Sequence, residues 1–455
     1  MPVESINPVT GQVVATLEAH SDEEVEMKLD AAQRAYMDWR RSTFSRRSEL
    51  MAELSAHLRR HRDRYASMAT MEMGKPIVEA EAEIDKCAWA AEFFAGNAEA
   101  MLAPRSMPST ARVSYVQYQP LGVVLEIMPW NFPFWQAIRA AVPILLGGNV
   151  ALLKHASNVP QCALAIEAMF RKAGFPTGVF QTLLVGSSAV SRLIEDDRIA
   201  AVTLTGSDLA GAEVAKVAGS ALKKCVLELG GSDPFMVLAG ADVEKAAAVG
   251  CRARNQNNGQ SCIAAKRFIV EESIADEWEA RFAKHVAALR VGDPMDRATQ
   301  VGPLARADLV ATLSDQLDRS VAAGARVRVG GQKLERPGYF FAPTVVVETR
   351  REMPVFCEET FGPLAAVVRV QDEDEAIRVA NDSRYGLGAS IWIDSERGQS
   401  IASRIEAGMV FVNGMVASDP RLPFGGVKRS GIGRELSEFG IREFQNMQTV
   451  WVAPS

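Results

Sequence analysis

Between Ser21 and Trp39 the apolar residues Val25, Leu29, Tyr36 and Trp39 recur at helical spacing, and Ser21 with Glu24 supplies a capping box at the start. The stretches 46–65 and 76–101 continue in the same style, so the N-terminal third reads as helical. The pattern changes near Ala111. "ARVSYVQYQP" alternates like a strand and runs into the apolar "LGVVLEIM". From there to about Ile269, short apolar runs such as "NVALLK", "AAVTLTG", "CVLELGG" and "PFMVLAG" alternate with helical stretches. Buried parallel strands joined by crossover helices have this texture. A second alternation runs from about 265 to 425 through "RFIVEE", "PTVVVE", "LAAVVRV", "ASIWI" and "GMVFVNG". The expected class is therefore α/β, with two α/β domains after a helical start. The tail "FQNMQTVWVAPS" reads as a late strand. With 111–121 it is expected to form an arm that pairs between subunits, because unpaired strand edges invite pairing.

A chain of 455 residues is too long for one ordinary core, which agrees with two domains. The formal net charge of −6 and the lack of a basic run argue against a nucleic-acid partner. No apolar run reaches the roughly 18 residues a membrane span needs. The opening residues lack the charged and apolar regions of a secretory signal. Cys87, Cys162, Cys225, Cys251, Cys262 and Cys357 show neither a disulfide framework nor metal-site pairs, so a reducing, cytoplasmic setting and no metal are expected.

Three residues stand out for chemistry. Cys262, in "NNGQSCIAAKRF", lies on a loop leading into an apolar strand, where a thiol is accessible; a buried structural cysteine is the alternative. Glu228, in "KKCVLELGGSDP", falls on a strand. Buried there, its pKa would rise toward the range of a general base; at the strand end it would simply be solvated. Asn131, in "PWNFPFWQAIR", follows an apolar strand and precedes a helix that Pro133 can open. It is either that helix's N-cap or an amide aimed into a cleft at the strand's C-terminal end.

"PWNFP", "LELGGSDP" and "GQSC", in this order and spacing, resemble the aldehyde dehydrogenase superfamily, as do "NPVTG", "TLTGSDLAG", "EETFGP" and "PFGGVKRSGIGRE". The resemblance covers essentially the whole chain. It implies a Rossmann-like cofactor domain (1–110 and 122–229), an α/β catalytic domain (230–425), a small β-strand oligomerisation arm with the tail (111–121 and 426–455), and a homodimer or homotetramer. It also implies that Cys262 attacks an aldehyde, that the Asn131 side chain and the Cys262 N–H hold the oxyanion, and that Glu228 activates the water that hydrolyses the thioester. A catalytically silent relative is the non-enzyme alternative; intact Cys262, Glu228 and Asn131 speak against it.

By the same resemblance Trp130, Lys154, Ser157, Gly206, Ser207, Gly211, Leu229, Glu359 and Phe361 would bind a dinucleotide. Many NAD-using relatives carry a glutamate where this chain has Ser157. A glutamate repels a 2′-phosphate, whereas a serine beside Lys154 admits it, so NADP is expected over NAD. Trp135 and Arg139 share a helix face that continues from Asn131. Arg139 is expected to hold a carboxylate at the far end of a short aldehyde, or else to pair with a neighbouring domain. "NFPFWQAIR" and "NGMVASDPRLPFGG" look especially like the members that oxidise succinate semialdehyde, with Ser418 as a second contact. A broader aliphatic or aromatic aldehyde specificity is the rival expectation.

Overall fold

The capping box at Ser21 starts a helix as its spacing predicts. In the computed structural model, which describes residues 2–454, Ser21 and Glu24 cap each other, and the helix Asp22–Trp39 buries Val25, Leu29, Tyr36 and Trp39. Helices Phe44–Arg60, Arg62–Met73 and Ile77–Met101 follow. The helical reading of this third needs one correction. Val3–Asn7 and Gln12–Leu17 pair as an antiparallel hairpin ahead of the helices. Only Ser5 of these strands is fully buried, so they lack the in–out alternation that would mark them.

Two sheets organise the rest. In the first, Val123–Met128 lies between Ile199–Thr205 and Val150–His155, with Lys224–Glu228 and Phe180–Thr182 outside them, all parallel. Every residue of Val123–Met128 is buried, because both faces are covered; this explains the unbroken apolar run. The second sheet has seven strands. Leu364–Val370, Ala265–Glu271, Asp233–Val237 and Gly388–Trp392 form its parallel centre, and Arg326–Val329 its antiparallel edge. The chain passes from the first sheet to the second between Glu228 and Asp233, through Gly230 and Gly231.

A third sheet has three strands. Val113–Pro120 pairs antiparallel with Gln445–Val452 of the same chain, Val113 opposite Val452, and short Arg105–Ser106 flanks it. Of 426–455, expected to hold the arm strand and the C-terminal tail, the last strand joins this sheet. Gly431–Ile432 instead forms an antiparallel edge of the six-stranded sheet beside Leu227 and Glu228. Gly431, at φ +145°, lies against the Leu227 backbone, an approach no Cβ would permit. Among the described residues no helix is long and apolar enough to cross a membrane.

Candidate active site

The loop before Cys262 is held in a conformation that few sequences tolerate. Asn257, Asn258 and Gly259 all have positive φ (54°, 57° and 73°), the left-handed region that asparagine and glycine adopt most readily. Each is fixed from outside the loop. Asn258 donates to the carbonyls of Gly74 and Pro303, Asn257 donates its side-chain N–H to the Asn131 carbonyl, and Arg254 donates to the Gly259 carbonyl. Past the cysteine, buried Lys266 donates to the carbonyls of Ser261 and Cys262. Backbone strain maintained by this much surrounding structure is characteristic of functional loops.

Cys262 is partly buried and forms a wall common to two cavities. One, of about 350 Å³, is lined by Lys86, Phe132, Trp135, Arg139, Ser418 and Phe424. The other, of about 250 Å³, is lined by Trp130, Asn131, Gly206, Ser207, Leu229, Glu359 and Phe361. The thiol is thus not sealed in a core. Burial nevertheless pushes it up to about 12, against the pull of Arg139 and Lys266, so it rests protonated and its proton must be removed when the sulfur attacks.

Asn131 is buried beside it. The helix Pro133–Leu146 begins after Phe132 and has no side-chain cap of its own, so Asn131 is not its N-cap. Glu83 fills that place from the helix Ile77–Met101, accepting the N–H groups of Phe134 and Trp135 at 2.8 and 2.9 Å. The Asn131 amide donates to the Gln260 carbonyl at 3.0 Å and faces the smaller cavity; one of its two N–H bonds remains for a ligand.

Glu228 is buried at the end of its strand, which disposes of the solvated reading. Neither carboxylate oxygen has a hydrogen-bond partner. Burial, reinforced by Glu435, pushes Glu228 well above the ordinary carboxylate range, while Arg139 pulls it down. Arg139 itself contacts the buried Glu435 carboxylate, donates to Thr205 Oγ1 at 3.3 Å and lies over the Phe424 ring. Arg139 is thus paired within the chain while it also lines the larger cavity.

The structure brings most of the expected dinucleotide-binding residues to the smaller cavity. Glu359 accepts the Gly231 N–H at 3.0 Å, and Phe361 packs edge-on to Trp130 at 5.7 Å. A side chain at Gly211 would come within 2.5 Å of Leu229, so the bare glycine lets the helix Asp208–Ser220 close on the strand. Ser207 caps that helix by accepting the Ala210 N–H. This trough of backbone, glycine and aromatic edge fits a nicotinamide ribose and pyrophosphate. Lys154 and Ser157 do not line it. They sit at the end of Val150–His155 and in the exposed turn beyond, and burial lowers the Lys154 pKa.

Lys86, Glu83 and Lys266 went unmarked in the sequence reading. Glu79, Glu83 and Lys86 share one face of a helix whose other buried positions are mostly alanine and large apolar residues, and that periodic polar insertion was the available signal. Lys266 and Arg267 likewise interrupt a strand buried along all but its last residue.

Residues 1–450 match the model of the aldehyde dehydrogenase family. A Synechocystis protein named probable succinate-semialdehyde dehydrogenase, NADP(+), is 52% identical over 454 residues, covering all of both chains. A Mycobacterium bovis protein named succinate-semialdehyde dehydrogenase, NADP(+), 1 is 50% identical over 457 residues, again covering both completely. Among solved structures, succinic semialdehyde dehydrogenase from Streptococcus pyogenes in complex with NADP+ superposes with a TM-score of 0.97 at 37% identity, covering 99% of this chain and 100% of that one.

Proposed function

Because this chain belongs to the aldehyde dehydrogenase family, we propose that it oxidises succinate semialdehyde to succinate and prefers NADP to NAD. The observation that carries this is the position of Cys262, between a cavity of dinucleotide-binding character and a cavity containing cationic side chains. Relatives of about 50% identity and full coverage bear names with the same substrate and cofactor.

In this reading Cys262 Sγ attacks the aldehyde carbon as a base removes the thiol proton. The oxyanion accepts hydrogen bonds from the free Asn131 amide N–H and the Cys262 backbone N–H, contacts worth roughly 3–4 kcal/mol each in comparable acyl transfers. NADP, when bound, supplies the hydride acceptor. The thiohemiacetal carbon releases a hydride that a free aldehyde holds too tightly, and a thioester on Sγ remains. Glu228, once ionised, takes a proton from water, which attacks the thioester and frees the acid. Trp130, Gly206, Ser207, Leu229, Glu359 and Phe361 would hold the nicotinamide side of the cofactor, and Lys154 and Ser157 the adenine-side ribose with its 2′-phosphate. Trp135, Arg139 and Ser418 would enclose the substrate.

The six-stranded sheet would be the core of the cofactor domain and the seven-stranded sheet that of the catalytic domain. Gln445–Val452 is an edge strand with Met447 and Trp451 exposed, and it would pair with a second copy in a homodimer or homotetramer. Six unpaired cysteines suit a cytoplasmic setting.

One observation favours the rival of broader aldehyde specificity: Arg139 is already paired with Glu435. Steady-state kinetics with succinate semialdehyde and with pentanal, each with NADP and with NAD, decide. A kcat/KM at least about tenfold higher for the semialdehyde supports the proposal. Equal values establish the broader enzyme.

A further inference from the structure

One face of the helix Ile77–Met101 reaches Asn131 by two routes. Glu83 accepts the N–H groups of Phe134 and Trp135, which start the helix just after Asn131. Glu79 stands about one turn earlier on the same face. Its Oε2 accepts the backbone N–H of Asn257 at 2.5 Å. The Asn257 side chain in turn donates to the Asn131 carbonyl at 2.7 Å and to the Gln260 carbonyl at 2.9 Å. That same Gln260 carbonyl accepts from the Asn131 amide at 3.0 Å. Asn257 therefore touches Asn131 at its backbone and shares the acceptor of its side chain.

Asn257 holds this place in the left-handed conformation, at φ 54°, which costs energy in any residue but glycine. Its neighbours are tied by other groups: Asn258 by Gly74 and Pro303, Gly259 by Arg254. Among the described residues Glu79 is the acceptor of the Asn257 N–H, and this is the one hydrogen bond its carboxylate makes. Asn257 is buried, so without Glu79 its N–H would be left unpaired and the turn would lose the contact that offsets its strain. Burial pushes the Glu79 pKa up to about 7, against the pull of the Asn257 bond and of Lys75. A group that is costly to bury is thus kept in contact with this one N–H.

We propose that Glu79 is a positioning residue for the oxyanion site: by holding the Asn257 N–H it sets Asn257, and through it the Asn131 amide beside Cys262. This rests on the reading of Asn131 as an oxyanion donor. The effect falls on the steps in which the oxyanion forms, where a displacement of about 1 Å can cost about a hundredfold. Glu79 does not line the smaller cavity, so cofactor binding is untouched.

The test measures the first release of reduced cofactor in single-turnover kinetics with succinate semialdehyde and NADP. Glu79→Met and Glu79→Ala remove the acceptor, the first while keeping the length of the side chain. Each is expected to slow this phase about tenfold or more with KM for NADP unchanged. Glu79→Gln, whose amide oxygen still accepts, is expected to stay within about threefold of wild type. Asn131→Ala alone should be slower by about a hundredfold or more. Adding Glu79→Met to it should cost less than about threefold further, because residues that act as a unit are not additive. Thermal unfolding identifies the folded variants, and either acceptor-free variant suffices. A folded acceptor-free variant within about threefold of wild type, an equal further loss in the double variant, or no restoration by Glu79→Gln overturns this inference alone. A wild-type rate in folded Asn131→Ala overturns the oxyanion reading and this inference with it.

Discussion

The guanidinium of Arg139 contacts the carboxylate of Glu435, and both side chains are almost completely buried, 2% and 4% exposed. Arg139 stands on the helix that begins beside Asn131, and Glu435 follows the short edge strand Gly431–Ile432. The pair therefore ties the C-terminal segment to the helix beside the reactive loop. It also sets the electrostatics of Glu228, on which Glu435 and Arg139 act in opposite directions.

Removing the arginine leaves a buried acid without its cation. Arg139→Ala is expected to lose roughly 3–5 kcal/mol of stability, the usual consequence of breaking a buried pair from one side. Denaturant unfolding measures this. Without the downward pull of Arg139, Glu228 should also ionise at higher pH, moving the rising limb of the kcat profile upward. A variant as stable as wild type would show the contact to be energetically idle.

The pH dependence follows from Glu228 directly. Burial holds its folded pKa above the unfolded value, and only the ionised form serves as a base. Hence kcat should rise with pH above the ordinary carboxylate range. Between the two pKa values the folded state holds a proton that the unfolded state has lost, so this group's contribution to stability falls as pH rises. Glu228→Gln should remove that decline in Tm as pH rises above the ordinary carboxylate range. It should also give a burst of reduced cofactor followed by slow turnover, as the thioester accumulates on Cys262. Steady turnover without a burst would place hydrolysis elsewhere.

Covalent chemistry at sulfur is tested by Cys262→Ala. Turnover should drop by at least about a thousandfold. Mass spectrometry of the intact protein after incubation with aldehyde and NADP should find the acyl adduct in Glu228→Gln and none once Cys262 is also replaced. An adduct persisting on another cysteine would refute the assignment.

The proposed contact of Ser157 with the 2′-phosphate predicts a change in cofactor choice. Its turn is exposed and has room for a longer side chain. Ser157→Glu should cut the NADP-to-NAD ratio of kcat/KM about a hundredfold or more, since a carboxylate facing a phosphate costs several kcal/mol. If NAD use rises without any loss of NADP use, the 2′-phosphate lies elsewhere.

Local signals account for part of what was legible in the chain. The Ser21 and Glu24 caps and the apolar run Val123–Met128 act through neighbours a few positions apart, so capping chemistry and periodicity reveal them. The motifs around Asn131, Glu228 and Cys262 were legible through their resemblance to a family, since the local reading of each left an alternative open. The exposed hairpin Val3–Leu17 escaped because it buries too little on either face to write a pattern.

By itself, then, the sequence determined the α/β class and the alternation of strands and helices after Ala111, because both rest on short-range spacing. Tertiary structure alone decided which charges are satisfied. Lys86 meets Ser418 across 332 positions, and Arg139 meets Glu435 only when an edge strand late in the chain docks beside Glu228. Whether a buried charge is satisfied depends on its partner in space, and electrostatic pairing in a low-dielectric interior leaves no period along the chain.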